Sequence, residues 1–345
     1  MKVGLIGRPG SGKTTIFNML TGLDAQVRGY RGGDKGEIHL GVIKVPDTRV
    51  DKLAEHFKPR KTTYAEIRFT DFPPSEKEGP KAGGDLLAQM REVDAITLVL
   101  GDFDSAAGPL KDLGDLLSEM ILADLVVVEN RLGKLAKEKG RDQERQILER
   151  CRKTLEAETS LRDLALSSEE ESLIAGFGFL SRKPLIALFN AGEDQAGRPL
   201  GAANAEETAR RGLLGLSLCG KLEMEIARLN EADRGAFLKE MGIAEPARAR
   251  FIQAAYRLLD LISFFTIGED EVKAWTISRG VVARKAAGKI HSDIERGFIR
   301  AEVVSYDDFI GLGGEAKCRE AGKLRLEGKD YVVQDGDIIH FRFNV

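Results

Sequence analysis

Apolar and polar positions change rhythm several times along this chain. Residues 3–6, 95–100 and 184–189 are unbroken apolar runs, which predict strands buried on both faces of a parallel sheet. Residues 65–70 alternate instead and end at Asp71. Ile16, Phe17 and Leu20 recur at helical spacing and predict a helix over 15–20. Strands alternating with helices predict an α/β sheet at the amino-terminal end.

Residues 110 to about 165 break that rhythm. Ile121, Leu125, Val128, Leu132 and Leu135 step by four and three, as in a coiled-coil seam. The polar stretch 134–143, with Gly140, predicts a hairpin tip, and Leu148, Cys151 and Leu155 predict a returning helix. This antiparallel helical arm is either a solvated decoration or a docking lever. A further helix is expected over 167–180, with Ser167 as N-cap and Glu170 three residues on. A strand over 213–216 follows, and helices are expected over 223–229 and 252–261. From Phe264 onward the pattern turns to short strands: 272–277, 298–303, and a hairpin joining 331–333 to 338–343 through Asp335-Gly336. The expected division is 1–109 and 167–262 as two parts of one domain, 110–166 as the insertion, and 263–345 as a small β domain.

The length of 345 residues agrees with more than one domain. With 42% hydrophobic and 31% charged residues, the composition is that of a soluble globular protein. The net charge of -3, from 52 basic and 55 acidic side chains, announces no polyanion partner. Cys151, Cys219 and Cys318 are too far apart for metal-ligand spacing, and an odd number makes no disulfide framework. No apolar run reaches membrane-spanning length, and no cleavable signal precedes the first strand. A cytoplasmic monomer with no membrane partner is expected.

Candidate chemistry begins at Gly7-Arg8-Pro9-Gly10-Ser11-Gly12-Lys13-Thr14, which fits G-x-x-x-x-G-K-[ST] between a strand and a helix. Such a loop aims backbone N–H groups and a helix N-terminus at a bound phosphate. The expected contacts are Pro9, Gly10, Ser11, Gly12, Lys13, Thr14 and Thr15. Lys13 reaches the β- and γ-phosphates and is the expected catalytic group. The Thr14 hydroxyl ligates Mg²⁺, and Asp71 stands where a ligand to the metal's water belongs. Asn190-Ala191-Gly192-Glu193 follows a buried strand, as a base-reading motif or as an ordinary turn. Guanine sites place Asp at the fourth position; the longer Glu193 weakens the case for guanine. Ser217, Leu218 and Cys219 lie where related folds close a loop over the base.

With these motifs the chain resembles the YchF family of P-loop NTPases, within the Obg group of TRAFAC GTPases. The likeness spans nearly the whole length. It includes GVIKVPD at 41–47, followed by Arg49 and Leu53, the motif at 190–193, and SLCGKLEME at 217–225. It is strongest in EVKAWTI at 271–277, AGKIHSDIERGFIRAEV at 287–303 and GKDYVVQDGDIIHFRFNV at 328–345. The resemblance implies a P-loop parallel sheet, an inserted coiled-coil arm and a C-terminal β-grasp TGS domain. It also implies ATP preferred over GTP, with Mg²⁺, and a switch role linked to the ribosome, translation or stress response. Arg279, Arg284, Lys285, Lys289, Arg296 and Arg300 then become candidates for rRNA phosphates, or an ordinary charged surface, since Asp293, Glu295 and Glu302 interleave.

Two departures bear on catalysis. No Ser or Thr occurs from Gly22 to Pro46, and Lys35 stands where the family's switch Thr lies; Asp34 or Glu37 are the available substitutes. The second switch reads Asp71-Phe72-Pro73-Pro74, and Pro74 has no N–H to offer a γ-phosphate. The expectation is therefore nucleotide binding with slow or partner-stimulated hydrolysis. The alternative is a non-hydrolysing nucleotide-binding module. A small-molecule kinase is a third reading, disfavoured by the base motif and the C-terminal domain.

Overall fold

The computed structural model describes residues 1–23, 38–73, 84–103, 108–240 and 246–344. The expectations for Asp34, Lys35, Glu37 and Pro74 lie outside these residues.

In chain order the first elements are β1 (Lys2–Gly7), α1 (Lys13–Thr21), β2 (His39–Lys44), α2 (Thr48–Phe57), β3 (Lys61–Thr63), β4 (Glu66–Asp71), α3 (Gly84–Arg91) and β5 (Ala95–Asp102). Next come α4 (Pro109–Leu135), α5 (Asp142–Glu156), α6 (Ser168–Ile174), β6 (Leu185–Ala191), α7 (Ala202–Arg210), β7 (Leu214–Leu218), α8 (Gly220–Arg228), α9 (Glu231–Glu240) and α10 (Ala247–Leu258). The last are β8 (Leu261–Thr266), β9 (Glu271–Ser278), α11 (Ala283–Ile290), α12 (Ser292–Arg296), β10 (Phe298–Ser305), α13 (Tyr306–Leu312), α14 (Glu315–Glu320), β11 (Arg325–Glu327) and β12 (Asp337–Phe343). None of the described helices is long and apolar enough to cross a membrane. The chain forms two compact units, Met1–Val42 with Arg68–Phe251, and Ile43–Ile67 with Ile252–Val345.

The first unit is built on a sheet of order β2-β4-β1-β5-β6-β7. The pairs β1–β4, β1–β5, β5–β6 and β6–β7 are all parallel. Every residue of β6 is buried, and in β5 all but Asp102, as helices on both faces require. Leu98, Leu100, Ala187 and Phe189 pack with Leu113, Leu116 and Met120 of α4. Parallel register brings the carboxyl ends of β1, β4, β5 and β6 to one edge, where open α/β sheets hold their ligands.

Helices α4 and α5 form the expected arm. Ile121, Val128 and Leu135 meet Ile147, Leu148, Cys151 and Leu155 along a buried seam. Burial pushes the Cys151 thiol up to about 11, so it packs as a small apolar group. At the root of the arm, buried Asp124 accepts from Arg91 at 2.6 Å and from the amides of Leu180 (3.0 Å) and Ser181 (2.7 Å). Ser167 caps α6 in a capping box with Glu170. The helix stops at Ile174 instead of reaching residue 180. The chain then tightens into a 3₁₀ turn and reverses at Gly178, where φ is 57°. A side chain is strained at that φ, so the helical pattern could not continue.

The second unit contains a mixed sheet of order β11-β10-β12-β8-β9-β3. β8 and β9 form an antiparallel pair, β12 runs parallel to β8, and β10 is antiparallel to β12. Ala283, Ala286 and Ala287 of α11 pack against Ile262, Phe264, Val303 and Ile339. A helix clasped by such a sheet is the β-grasp arrangement. The hairpin expected at Asp335-Gly336 is absent. Val332 makes only an isolated bridge to Val282, and β12 pairs with β10 and β8. The turn is pinned elsewhere: Asp335 Oδ1 accepts from Ser263 N, and Gly336 N donates to Ser263 O, both at 2.8 Å. That contact sends β12 along β8. Segment 43–67 belongs to this unit through β3, which pairs with β9, and through Phe57, stacked on Phe309 at 5.6 Å.

Candidate functional site

The loop after β1 is shaped by glycine. Gly12, the residue before α1, has φ 81°, and a Cβ there would collide with Asn190 Nδ2. Only glycine fits both conditions. No side chain caps α1, so N–H groups of its first turn face outward as donors. The Ser11 amide is engaged within the loop, donating to Arg8 O at 3.1 Å. The Ser11 hydroxyl is buried with no hydrogen-bond partner. Pro9 and Gly10 form the exposed crest, with Gly10 at φ 83°.

Behind this crest, Lys13 and Asp71 are 8% and 2% exposed and form an ion pair. The Thr14 hydroxyl donates to the other oxygen of the same carboxylate, Asp71 Oδ2, at 3.2 Å. Asp71 reaches this place because β4 lies beside β1 with Leu5 and Asp71 in register. An ammonium and a hydroxyl thus converge on one buried carboxylate at the end of the loop. Among the described residues no cluster of three or more His, Cys, Asp or Glu is arranged for a metal. A Mg²⁺ held by one hydroxyl, one carboxylate through water, and phosphate oxygens needs no such cluster; Thr14 and Asp71 are hard oxygen donors of the right kind. Thr15, next on α1, is partly exposed.

The other side of the site is organised by Asn190 at the end of β6. Its Nδ2 donates to Ser11 O, and its Oδ1 accepts from Gly220 N, each at 3.0 Å. Much of its side chain is engaged in holding the loop to the start of α8. Glu193 sits in a short 3₁₀ turn, and its exposed carboxylate pairs with Lys221 Nζ at 2.6 Å. The loop expected over 217–220 is absent. Ser217 and Leu218 are strand residues, paired in register with Phe189 and Asn190, and Gly220 already begins α8. Leu218 and Cys219 are buried, leaving Cys219 as the single junction residue. Strand pairing with β6 outcompetes a loop here because both edges of β6 carry ladder partners.

Phe103 and Asp102 lie outside every sequence motif, and Arg8 fills an unspecified position of the loop motif. Phe103 follows β5, is 50% exposed, and lies beside Gly12, Gly101 and Gly192. A large exposed ring just after a strand buried up to Gly101 was its only available signal. Asp102, before it, accepts from Asn204 at 3.1 Å; burial raises its carboxyl above the usual range, and that hydrogen bond offsets part of the rise. Arg8 of the loop donates to Glu119 of α4 at 2.7 Å, a contact across more than a hundred residues that no local pattern announces.

A full-length relative decides the family. The Bacillus subtilis protein named "Ribosome-binding ATPase YchF" is 40% identical over 365 residues, covering 100% of both chains. The chain belongs to the YchF family. The Haemophilus influenzae YchF is also 40% identical, over 100% of this chain and 99% of its own. The structure of the Schizosaccharomyces pombe YchF GTPase superposes with a TM-score of 0.86 at 29% identity, covering 99% of this chain and 97% of that one. Two family models also match parts of the chain. One described as 50S ribosome-binding GTPase matches residues 2–131, and the YchF-GTPase C-terminal model, described as a protein of unknown function (DUF933), matches 261–344.

Proposed function

We propose that this YchF protein binds MgATP at residues 9–15 and hydrolyses it slowly, as a nucleotide-dependent switch associated with the ribosome. The observation that carries the reading is the convergence of Lys13 and Thr14 on buried Asp71 beneath a glycine-turned loop. The names of the relatives, ribosome-binding ATPases, support the nucleotide and the partner.

In this reading Lys13 leaves Asp71 for the phosphate tail and so frees the Asp71 carboxylate. A bound Mg²⁺ would supply neutralisation of phosphate charge, and Thr14 and Asp71 would hold it. First-turn amides of α1 orient the phosphates, and Gly12 lets the backbone approach them. Asn190 holds the loop in register with α8, and the exposed face of Phe103 offers a stacking surface to the base. Ser217, Leu218 and Cys219 shape the wall beneath it through backbone and packing. The chain supplies no γ-phosphate amide at Pro74, and Lys35 replaces the switch Thr, so attack by water is poorly assisted. GTP is the weaker ligand, because Glu193 stands in place of the guanine-binding Asp. The C-terminal domain is of TGS type in this proposal, and it shares contact with the ribosome with the helical arm.

Single-turnover hydrolysis of radiolabelled ATP, with and without ribosomes, tests the enzymatic half. Phosphate release above the no-protein background in either condition supports slow hydrolysis. Release at background in both, with ATP still bound, favours the non-hydrolysing module that Pro74 suggests.

A further inference from the structure

Glu193 does not stand alone. Its carboxylate is held at 2.6 Å by Lys221, the second residue of α8, and the pair is 56% and 71% exposed. The same two elements meet one layer deeper, where Asn190 Oδ1 accepts from Gly220 N. Residues 190–193, from the end of β6 into the turn after it, and Gly220 and Lys221 at the start of α8 therefore close a six-residue ring on the base side of the site. The ring is covalent along each element and is joined between them by one buried hydrogen bond and one exposed ion pair.

The chemistry of a purine edge gives this pair a role. Guanine presents two N–H donors, at N1 and at the exocyclic amine, and a free carboxylate accepts both. Adenine presents a bare lone pair at N1, which a free carboxylate repels. A carboxylate with one oxygen held by an ammonium is partly neutralised and drawn toward that ammonium, so it does each less strongly. We propose that Lys221 is a specificity-determining residue of the site: by holding Glu193 it weakens the acceptor that guanine needs and the charge that adenine avoids. The Lys221 ammonium is correspondingly held protonated above its ordinary range, chiefly by its hydrogen bond to Glu193. The inference rests on the reading of this site as a purine nucleotide site.

The test is calorimetric titration of the full-length protein with MgATP and with MgGTP, for the unmodified chain, Lys221→Met, Glu193→Gln and the double variant. Lys221→Met keeps the apolar stem and removes the charge, and the exposed position keeps folding intact; matched melting curves check this. The expected result is a shift of the GTP-to-ATP affinity ratio toward GTP of about threefold to fivefold in Lys221→Met, the range an exposed ion pair supports. The double variant is expected to return to the ratio of Glu193→Gln alone, because the lysine acts only through the carboxylate. A ratio unmoved in Lys221→Met, or a shift that persists without Glu193, overturns the role of Lys221 while leaving the nucleotide site standing. Failure of the unmodified chain to bind either nucleotide removes the site reading itself and this inference with it.

Discussion

The side-chain amide of Asn190 donates to the Ser11 carbonyl at 3.0 Å, tying the end of β6 to the turn of the phosphate loop. Its carbonyl is engaged in turn by Gly220 N, so one buried residue spans three segments far apart in sequence. Asn190→Ala leaves a buried carbonyl and a buried amide without partners. The expected loss is about 2–4 kcal/mol of stability, read by urea denaturation, together with weaker nucleotide binding. An unchanged denaturation midpoint would contradict the bridging role.

Gly12→Ala tests the same junction from the other side. The added methyl meets Asn190 Nδ2 and must be carried at φ 81°. A loss of at least about 1–3 kcal/mol is expected, with ATP affinity falling below detection. Gly133, in α4, has open space around it, so Gly133→Ala is expected to be neutral or slightly stabilising by comparison.

Glu223 of α8 gives a pH-dependent prediction. It is buried, accepts from Ala247 N at 3.0 Å, and burial raises its carboxyl above the usual carboxylate range. An acid whose folded pKa is raised contributes most below its unfolded pKa, and that contribution is lost as pH rises through the folded value. Glu223→Gln keeps an acceptor for Ala247 and removes the charge. Its melting temperature relative to the unmodified protein is expected to rise from about pH 4 to about pH 8. A difference that is flat or falls over that range contradicts the raised pKa.

In the second unit, Arg49 is held by both oxygens of Asp47 and by Asp335 Oδ2 at 2.8 Å, with its guanidinium 5.0 Å from the centre of the Phe265 ring. Asp47 also caps α2, accepting from Arg49 N at 2.9 Å. Arg49→Ala is expected to cost about 2–3 kcal/mol, because two carboxylates lose their partner and the ring its cover. Arg49→Lys is expected to recover less than half, since a single ammonium cannot fork between Asp47 and Asp335. Chemical denaturation of the two variants side by side decides this.

Local pattern carried much of the architecture. The buried runs at 95–100 and 184–189 are central strands, and the four-and-three spacing from Ile121 to Leu135 is the seam of the arm. The juxtaposition of Lys13, Thr14 and Asp71 was also legible, because a loop motif and the end of a neighbouring parallel strand meet wherever that sheet forms. What escaped was decided by partners distant in sequence. Asp335-Gly336 has hairpin chemistry, yet Ser263 captures the turn and β12 aligns with β8. Ser217 and Leu218 read as loop, yet pairing with β6 extends the strand to residue 218. Segment 43–67 carries no local mark of joining the C-terminal unit; Asp335 holds Arg49 from 286 residues away. Lys221 was invisible beside Glu193 for the same reason, since residues 190–193 are read as one short segment and the ion-pair partner of Glu193 sits on α8, beyond α7 and β7.

The central claim is that the loop at residues 9–15, with the Lys13 ammonium, grips a purine triphosphate. Calorimetric titration of MgATP into the unmodified protein and into Lys13→Ala tests it most directly. The account predicts a saturable, single-site isotherm for the unmodified chain, and affinity at least about a hundredfold weaker for the variant, as the loss of a charge-assisted phosphate contact implies. Equal heats from the two proteins, or no binding of ATP or GTP to the unmodified one, would contradict it.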